Sequence, residues 1–291
     1  MQLSPASSAA ALSTPCRSDP GGIAPPRAVK TAIYYAELAP FRELFRRGRP
    51  VLCYHKVARK PLRARVRSTF IPPRLFAVQM AELRADGFRT VGPGACLEEG
   101  GGREIVLTFD DGSASVLRRA APVLARHGFT AINYLVSDLL GGINRWDADL
   151  GEVPDRLMDE SEVREWLAAG HQIGAHTRTH PVLTEIPAAR AREEIAGSKK
   201  ALEDRFGFAV KHFCYPYGEV SPAVRDMVAE AGFETAVTTA PGIARPGVDP
   251  FLIPRLGARG HSLNFRNVLR SLSGGRPGFS SEDLRGLHPA A

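Results

Sequence analysis

Short apolar runs alternate with segments of helical periodicity along most of the chain. Between the runs, apolar residues recur at helical spacing, as in the series Leu75, Met80 and Leu83. Alternating strands and helices predict a parallel sheet, either open or closed into a barrel. The predicted strands span residues 51–54, 105–109, 130–136, 172–175, 211–215, 234–238 and 251–253.

Several predicted helices carry end signals. Ser113 precedes a helix that begins near Val116, and its hydroxyl is placed to accept a backbone N–H of the first turn. Gly170 ends the segment ESEVREWLAAG, as glycine commonly does after a last helical turn. The segments ARAREEIAGSKKALEDRFG and SPAVRDMVAEAG follow the same pattern.

The bulk composition excludes several classes of protein. The chain has 291 residues, 44% of them hydrophobic, which is enough for a substantial core. Its net charge of +7 is spread along the chain without a recognised nucleic-acid motif, so no nucleic-acid partner is expected. Four widely spaced cysteines argue against a disulfide scaffold and a zinc ribbon. With no apolar run of about 18 residues and no clear signal peptide, we expect no membrane-spanning helix and a cytoplasmic location.

Composition changes near both ends predict three regions. Residues 1–48 form an N-terminal tail that is rich in Ala, Ser, Pro and Gly up to residue 30. Its last part, residues 31–48, is an amphipathic basic helix that either packs on the main domain or makes peripheral contact with a membrane. Residues 49–270 form the main domain, and residues 271–291 form a C-terminal tail.

The segment EIVLTFDDG places two adjacent carboxylates, Asp110 and Asp111, at the end of a predicted strand. Such neighbours repel each other unless a cation or a proton lies between them. Gly112 allows the sharp turn that would face both toward one site. The alternative is a polar turn in which an aspartate caps a helix.

The segment GHQIGAHTRTHPVL contains His176 and His180, whose spacing suits two imidazoles that share Zn²⁺. The alternative is a pair of loop histidines, and His171 is interpreted as a strand-start residue without a role. One carboxylate with two histidines makes a metal site with open positions, and the second carboxylate is then free to act as a base.

In the segment YPYG, Pro216 and Gly218 bend the chain, which either aims a backbone N–H at a substrate oxygen or makes an ordinary loop.

The segments LTFDDG, HTRTHP and YPYG, in this order, resemble the polysaccharide deacetylase family, also called the NodB homology domain or carbohydrate esterase family 4. The resemblance spans about residues 49–256. It implies a distorted (β/α) barrel of about seven strands. It also implies a metal-dependent hydrolase that removes N-acetyl groups from the amino sugars of a glycan and releases acetate.

The resemblance also implies roles for individual residues. Asp110 matches the general base. Asp111, His176 and His180 match the ligands of a divalent metal, for which Zn²⁺ is expected and Co²⁺ or Ni²⁺ are alternatives. The backbone N–H of Tyr217 matches a donor to the oxyanion.

Some family features are missing from this chain. Cys214 stands where many members carry an arginine, and the late motif that supplies the general acid is absent. We hypothesise that Arg255 orients Asp110, with a surface salt bridge as the alternative. The segment VLCYHKV resembles the start of a permuted branch, the poly-N-acetylglucosamine and adhesin deacetylases, and there His55 takes the place of the acid. His261 is a weaker candidate for that acid.

Three other functions stay open at this point. The same fold and metal site suit another amide or cyclic-imide hydrolase that acts on small molecules. A non-catalytic glycan-binding relative is a second alternative, and a membrane-surface module built on residues 31–48 is a third. The complete set of two aspartates and two histidines argues against a pure binding protein, which has no use for a spare carboxylate.

Overall fold

A closed ring of seven parallel strands forms the centre of the protein. The structure is a computed structural model that describes residues 34–62, 64, 69–99, 102–149 and 153–258. The predicted tail over residues 1–30, the predicted C-terminal tail over residues 271–291, and His261 lie outside these residues.

Strands and helices alternate along the described chain. The strands are β1 Tyr34–Tyr35, β2 Val51–Tyr54, β3 Lys56–Val57, β4 Phe70–Ile71, β5 Arg89–Thr90, β6 Glu104–Phe109, β7 Ile132–Leu135, β8 Gln172–Ala175, β9 His212–Cys214, β10 Thr235–Pro241 and β11 Ile253–Ala258. The helices are α1 Arg42–Phe45, α2 Pro73–Ala85, α3 Ala121–His127, α4 Arg145–Asp149, α5 Glu160–Ala168, α6 Ala188–Phe206 and α7 Pro222–Glu230. A π-helical turn, Val116–Ala120, leads into α3.

The barrel runs in the order β2, β6, β7, β8, β9, β10 and β11, and β11 pairs with β2 to close it. At the closure Leu256 lies opposite Leu52, and on the other side of β2 Val51 lies opposite Val106. All of these pairs are parallel, so each strand needs a crossover segment before the next strand. The predicted parallel barrel of about seven strands is confirmed.

Alternate residues of the strands serve two different cores. Val51, Val106 and Ile132 belong to a cluster made largely of strand residues, which fills the barrel. Their chain neighbours, such as Leu52 and Leu107, join the larger cluster that includes the buried faces of the helices. Strands that are buried on both faces read as continuous apolar runs, which is why the pattern located them in the sequence.

The last barrel strand differs from its prediction. The apolar pattern ends at residue 253, whereas β11 spans Ile253–Ala258. A strand that ended at residue 253 would place Arg255 after it, but Arg255 lies inside β11, so the predicted end of this strand is wrong. A buried arginine interrupts the apolar pattern, so the pattern stops before the strand does.

The segment before the barrel also differs from its prediction. In place of one helix over residues 31–48, the described part contains β1, a 3-10 turn Ala39–Phe41 and the short α1. Pro40 supplies no backbone N–H, so a helix cannot run through it from the preceding residues. Phe41 and Phe45 are buried in the main core, and β1 pairs with β11. The segment thus packs against the barrel, which was one of its two predicted alternatives.

The helix ends largely follow the sequence signals. The hydroxyl of Ser113 accepts the backbone N–H of Ser115 at 3.1 Å, as expected of a cap. Gly207 follows α6 with φ of 77°, a left-handed conformation that favours glycine. Among the described helices, none combines the length and the apolar character that a membrane crossing requires.

Gly174 provides a test of the packing between neighbouring strands. A Cβ atom at this position in β8 would lie 2.5 Å from Cδ1 of Tyr134 and 2.7 Å from the carbonyl oxygen of His212. Because the strands cannot move apart without loss of their pairing, Gly174→Ala should destabilise the protein by about 1–3 kcal/mol. Chemical denaturation measures this. Gly94→Ala is the control, since nothing lies within 4 Å of the added Cβ there. Equal stability of the two variants would contradict the packing described.

Candidate active site

Polar side chains collect at one end of the barrel, where the parallel strands finish. His55 follows β2, Asp110 and Asp111 follow β6, and His176 follows β8. Because the strands are parallel, these carboxyl-terminal ends meet at one rim. The structure therefore brings together residues that lie far apart in the sequence.

Asp111, His176 and His180 form a compact buried group. The Nε2 atoms of both histidines lie 3.5 Å from Oδ1 of Asp111. All three side chains are at least nine-tenths buried. Ligand bonds of about 2.0–2.2 Å in a tetrahedral site place neighbouring donor atoms about 3.3–3.6 Å apart. One oxygen and two nitrogen donors at this spacing fit a divalent metal.

Hydrogen bonding and burial prepare the two imidazoles to act as ligands. Nδ1 of His176 lies 2.7 Å from the carbonyl oxygen of Cys214, which can only accept, so Nδ1 carries a proton and Nε2 faces Asp111. Burial alone would lower the pKa of His176, but Cys214 and the carboxylate of Asp111 outweigh it and hold that pKa above its usual range, so a metal at Nε2 would displace a proton. Burial and the neighbouring His176 lower the pKa of His180 to about 3, so its imidazole is neutral. Neutral imidazoles are the form that binds metals.

Asp110 is held by a buried arginine. Arg255 donates from Nη1 to Oδ1 and from Nη2 to Oδ2 of Asp110, each at 2.8 Å, and Arg255 is 1% exposed. Burial alone would raise the pKa of Asp110, but the charge and hydrogen bonds of Arg255 outweigh it and hold that pKa well below its usual range. A surface salt bridge, the alternative considered for Arg255, does not describe this pair.

Further contacts fix Arg255 itself. Its Nε donates to the carbonyl oxygen of Thr238 at 2.8 Å, and its Nη1 also donates to Oγ1 of Thr108 at 3.0 Å. Nη2 lies 3.3 Å from Sγ of Cys214. The resemblance described above implies an arginine at the position of Cys214, and in this structure the guanidinium of Arg255 lies beside that position from β11. The carboxylate of Asp110 is thus presented in a single orientation.

His55 also lies near Asp110. Its Nε2 is 3.8 Å from Oδ2 of Asp110, and its side chain is 25% exposed. A histidine that only fills the core would be fully buried, which does not match this exposure. The preceding residue, Tyr54, is buried and donates to Oε1 of Gln79 at 2.9 Å.

Two other groups of donor atoms lie close enough to consider for a metal. They are Cys53, His55 and Asp110, and Asp110, His176 and Cys214. Both need Asp110, whose two oxygens already pair with Arg255. Burial also raises the pKa of both thiols, which disfavours the thiolate that a metal requires. Asp111, His176 and His180 therefore fit a metal best.

Backbone strain is concentrated at this rim. Among the described residues, the non-glycine residues with positive φ are Asp111, Thr177, His180 and Tyr217, with φ between 60° and 74°. Such conformations are uncommon without glycine and persist only where the surroundings enforce them. Tyr217 is 45% exposed, and its ring contacts that of His180 edge to face at 4.8 Å.

Three supporting residues have no signal in the sequence motifs. Cys53 lies 3.4 Å from Oδ2 of Asp110, although its apolar surroundings indicate only a core thiol. Trp146 stacks on the ring of His180, and Glu194 of α6 accepts hydrogen bonds from the loop between the two histidines. The sequence shows that Trp146 is apolar and that Glu194 lies in a predicted helix, but it does not predict their contacts with the site. His171, assigned no role, stacks on Trp166 at a strand start.

Known proteins resemble this chain in sequence and in fold. Residues 98–236 match a family model described as polysaccharide deacetylase. YxkH of Bacillus subtilis (strain 168), whose name refers to the polysaccharide deacetylases, is 24% identical over 201 residues, which are 67% of this chain and 66% of YxkH. The peptidoglycan-N-acetylglucosamine deacetylase PgdA of Listeria monocytogenes is 27% identical over 138 residues. These are 47% of this chain and only 26% of PgdA, so this chain spans less than two-thirds of either relative.

A solved structure extends the similarity to more than three-quarters of the chain. The structure of IcaB from Ammonifex degensii has a TM-score of 0.64 and 25% sequence identity. The superposition covers 77% of this chain and 96% of IcaB.

Glu194 allows a test of how the histidine loop is held. It is 5% exposed and accepts the backbone N–H groups of Arg178 and Thr179 at 2.9 Å and the Thr179 hydroxyl at 2.6 Å. Hydrogen bonds to charged groups are worth about 1.5–3 kcal/mol each, so Glu194→Ala should lower the free energy of unfolding by at least that amount. Chemical denaturation gives the value.

The neighbouring glutamate is a matched control for this test. Glu193 pairs with Arg178 through a side chain that is 68% exposed. Exposed ion pairs contribute about 0.2–1 kcal/mol, so Glu193→Ala should have a small effect. A similar small loss in both variants would show that Glu194 does not hold the loop.

Proposed function

We propose that the chain is a polysaccharide deacetylase and that it acts as a metal-dependent hydrolase of N-acetylated glycans. The family model over residues 98–236 and the similarity to YxkH and IcaB support the family. It would cleave the amide bond of an N-acetylated amino sugar in a polysaccharide, oligosaccharide or glycoconjugate. The products are acetate and a free amine.

One observation carries the proposal. Beside the possible metal ligands Asp111, His176 and His180 lies a second carboxylate, Asp110, which has its own partner in Arg255. A protein that only binds glycans does not require this spare base. A hydrolase does, because the attacking water must lose a proton.

A divalent metal at Asp111, His176 and His180, expected to be Zn²⁺, would supply Lewis-acid activation of the water and the acetyl carbonyl. Asp110 accepts a proton from the water while the water oxygen forms a bond to the carbonyl carbon. Arg255 keeps the carboxylate of Asp110 ionised and oriented for this transfer.

The carbonyl oxygen gains negative charge as the bond forms. We assign the backbone N–H of Tyr217 as the hydrogen-bond donor to this oxygen. The positive φ of Tyr217 turns its peptide at the rim, and the Tyr217 ring contacts His180. Loss of one such donor typically costs about 2.7–4 kcal/mol in transition-state stabilisation. A main-chain donor is not removed by substitution of the side chain.

The amine must take up a proton when the carbon–nitrogen bond breaks. His55 is assigned as the general acid because it lies at the same rim, is partly exposed, and approaches Asp110 to 3.8 Å. The proton moves from the imidazole to the departing nitrogen. His55 thereby replaces the late histidine that other members of the family use.

A first experiment separates the base from the metal ligands. Purified protein, chelator-treated and reloaded with Zn²⁺, Co²⁺ or Ni²⁺, is assayed for acetate release from N-acetylated glycans. His176→Ala should lose both bound metal and activity. Asp110→Asn should retain metal and lose turnover, because an amide is not a proton acceptor at this position.

Two outcomes would count against this assignment. Full turnover of Asp110→Asn would remove Asp110 as the base. Release of acetate from small amides but from no glycan in the panel would favour the amide or cyclic-imide hydrolase, which the arginine-to-cysteine difference at Cys214 keeps as the second candidate.

The role of His55 can be tested with leaving groups. His55→Ala should lower turnover of the amide by about 10²–10⁴-fold, the usual contribution of general acid catalysis. An aryl acetate such as 4-nitrophenyl acetate needs no protonation of its leaving group, so the same variant should hydrolyse it nearly normally. The measurement is the ratio of the two rates. Equal losses on both substrates would contradict an acid role. The control is His127→Ala, which changes a half-buried histidine of α3.

A further inference from the structure

The two histidines of the proposed metal set are supported in different ways. Nδ1 of His176 is bound by the carbonyl oxygen of Cys214 at 2.7 Å, which fixes the rotation of that ring. Nδ1 of His180 is buried and has no hydrogen-bond partner among the described residues. The orientation of His180 must therefore come from packing.

Aromatic rings provide that packing. Trp146 stacks on His180 with ring centroids 4.1 Å apart and an interplanar angle of 18°. Tyr217 and His176 contact the same ring edge to face, both at 4.8 Å. Trp146 is 9% exposed, so the stack is largely shielded from water. A flat neighbour across its face restricts rotation of the His180 ring out of this plane.

Trp146 is held in place by a buried ion pair. Its chain neighbour Asp147 lies 2.5 Å from Nζ of Lys56, which is only 2% exposed. Asn144 donates to the same carboxylate oxygen of Asp147, and its own side-chain oxygen accepts the backbone N–H of Asp155. An ammonium buried this deeply depends on its carboxylate partner, so α4 is tied to the chain beside β2.

We propose that Trp146 is the positioning residue of His180, held over its ring by the Lys56–Asp147 ion pair. The inference rests on the proposed function, since it concerns His180 as a metal ligand. In this arrangement one ligand is oriented by a hydrogen bond and the other by a stacked indole. Trp146 does not touch the reacting atoms and acts only through His180.

The test measures Co²⁺ affinity and not only activity. Chelator-treated protein is titrated with Co²⁺, and binding is followed by visible absorption, which reports the ligand geometry, and by calorimetry. Trp146→Leu should weaken binding about 10–100-fold, as loss of a supporting contact to a metal ligand usually does. Trp146→Phe keeps a stacked ring and should stay within about threefold of the wild type.

A packing control separates positioning from general stability. Leu157 is buried in the same small cluster as Trp146 and Val136. Leu157→Ala should lower the melting temperature of the metal-free protein and leave Co²⁺ affinity unchanged. Asp147→Asn keeps Trp146 but weakens its anchor, and we expect a smaller loss of affinity in the same direction. If Trp146→Leu does not fold, this variant decides the question.

The outcomes distinguish the inference from the function on which it rests. A wild-type protein that binds no Co²⁺ would overturn the proposed metal set together with the inference. Normal wild-type binding with unchanged affinity in Trp146→Leu or, if that variant does not fold, in Asp147→Asn would overturn the inference alone. An equal loss in Trp146→Phe and Trp146→Leu would also overturn it, because a stacked ring would then have no special effect.

Discussion

Two adjacent carboxylates buried at the end of one strand are the constraint on which the site depends. Asp110 and Asp111 are 2% and 5% exposed, so neither can rely on water to stabilise its charge. Each therefore needs a partner of its own, and removal of a buried partner typically costs about 3–5 kcal/mol. Arg255 satisfies Asp110, while His176 and His180 face Asp111. The two carboxylates thus have separate partners, which suits their separate proposed roles as base and metal ligand.

Closure of the barrel makes this division possible. Arg255 and Asp110 are 145 residues apart in the chain, and they meet because β11 pairs with β2, which pairs with β6. An open sheet in the same strand order would leave β11 far from β6. The guanidinium of Arg255, which approaches from β11, also lies 3.3 Å from Sγ of Cys214. It thus lies beside the position at which the family resemblance implies an arginine. Topology thus substitutes for a missing motif residue.

The sequence predicted most of the barrel and the grouping of the site, for a common reason. Strands buried on both faces read as apolar runs, and polar residues that directly follow such runs meet at one rim when the strands are parallel. Arg255 broke this rule because a charged residue inside a strand interrupts the pattern that defines it. Pro40 divided a segment whose periodicity suggested one helix. Trp146 and Lys56 come from segments without periodicity, and only tertiary contacts reveal their connection.

The neighbours His55 and Lys56 link the two sides of the site. His55 is partly exposed beside Asp110, whereas Lys56 is buried and pairs with Asp147, the chain neighbour of the stacked Trp146. A single peptide bond thus connects His55, the proposed acid, to Lys56, whose ion pair with Asp147 holds Trp146 against the proposed ligand His180. A change at Lys56 would disturb both, because it would release α4 and shift the chain that carries His55. A change at Asp147 affects the packing of Trp146 but does not alter the chain that carries His55. It therefore separates an effect on metal binding from an effect on protonation of the departing amine.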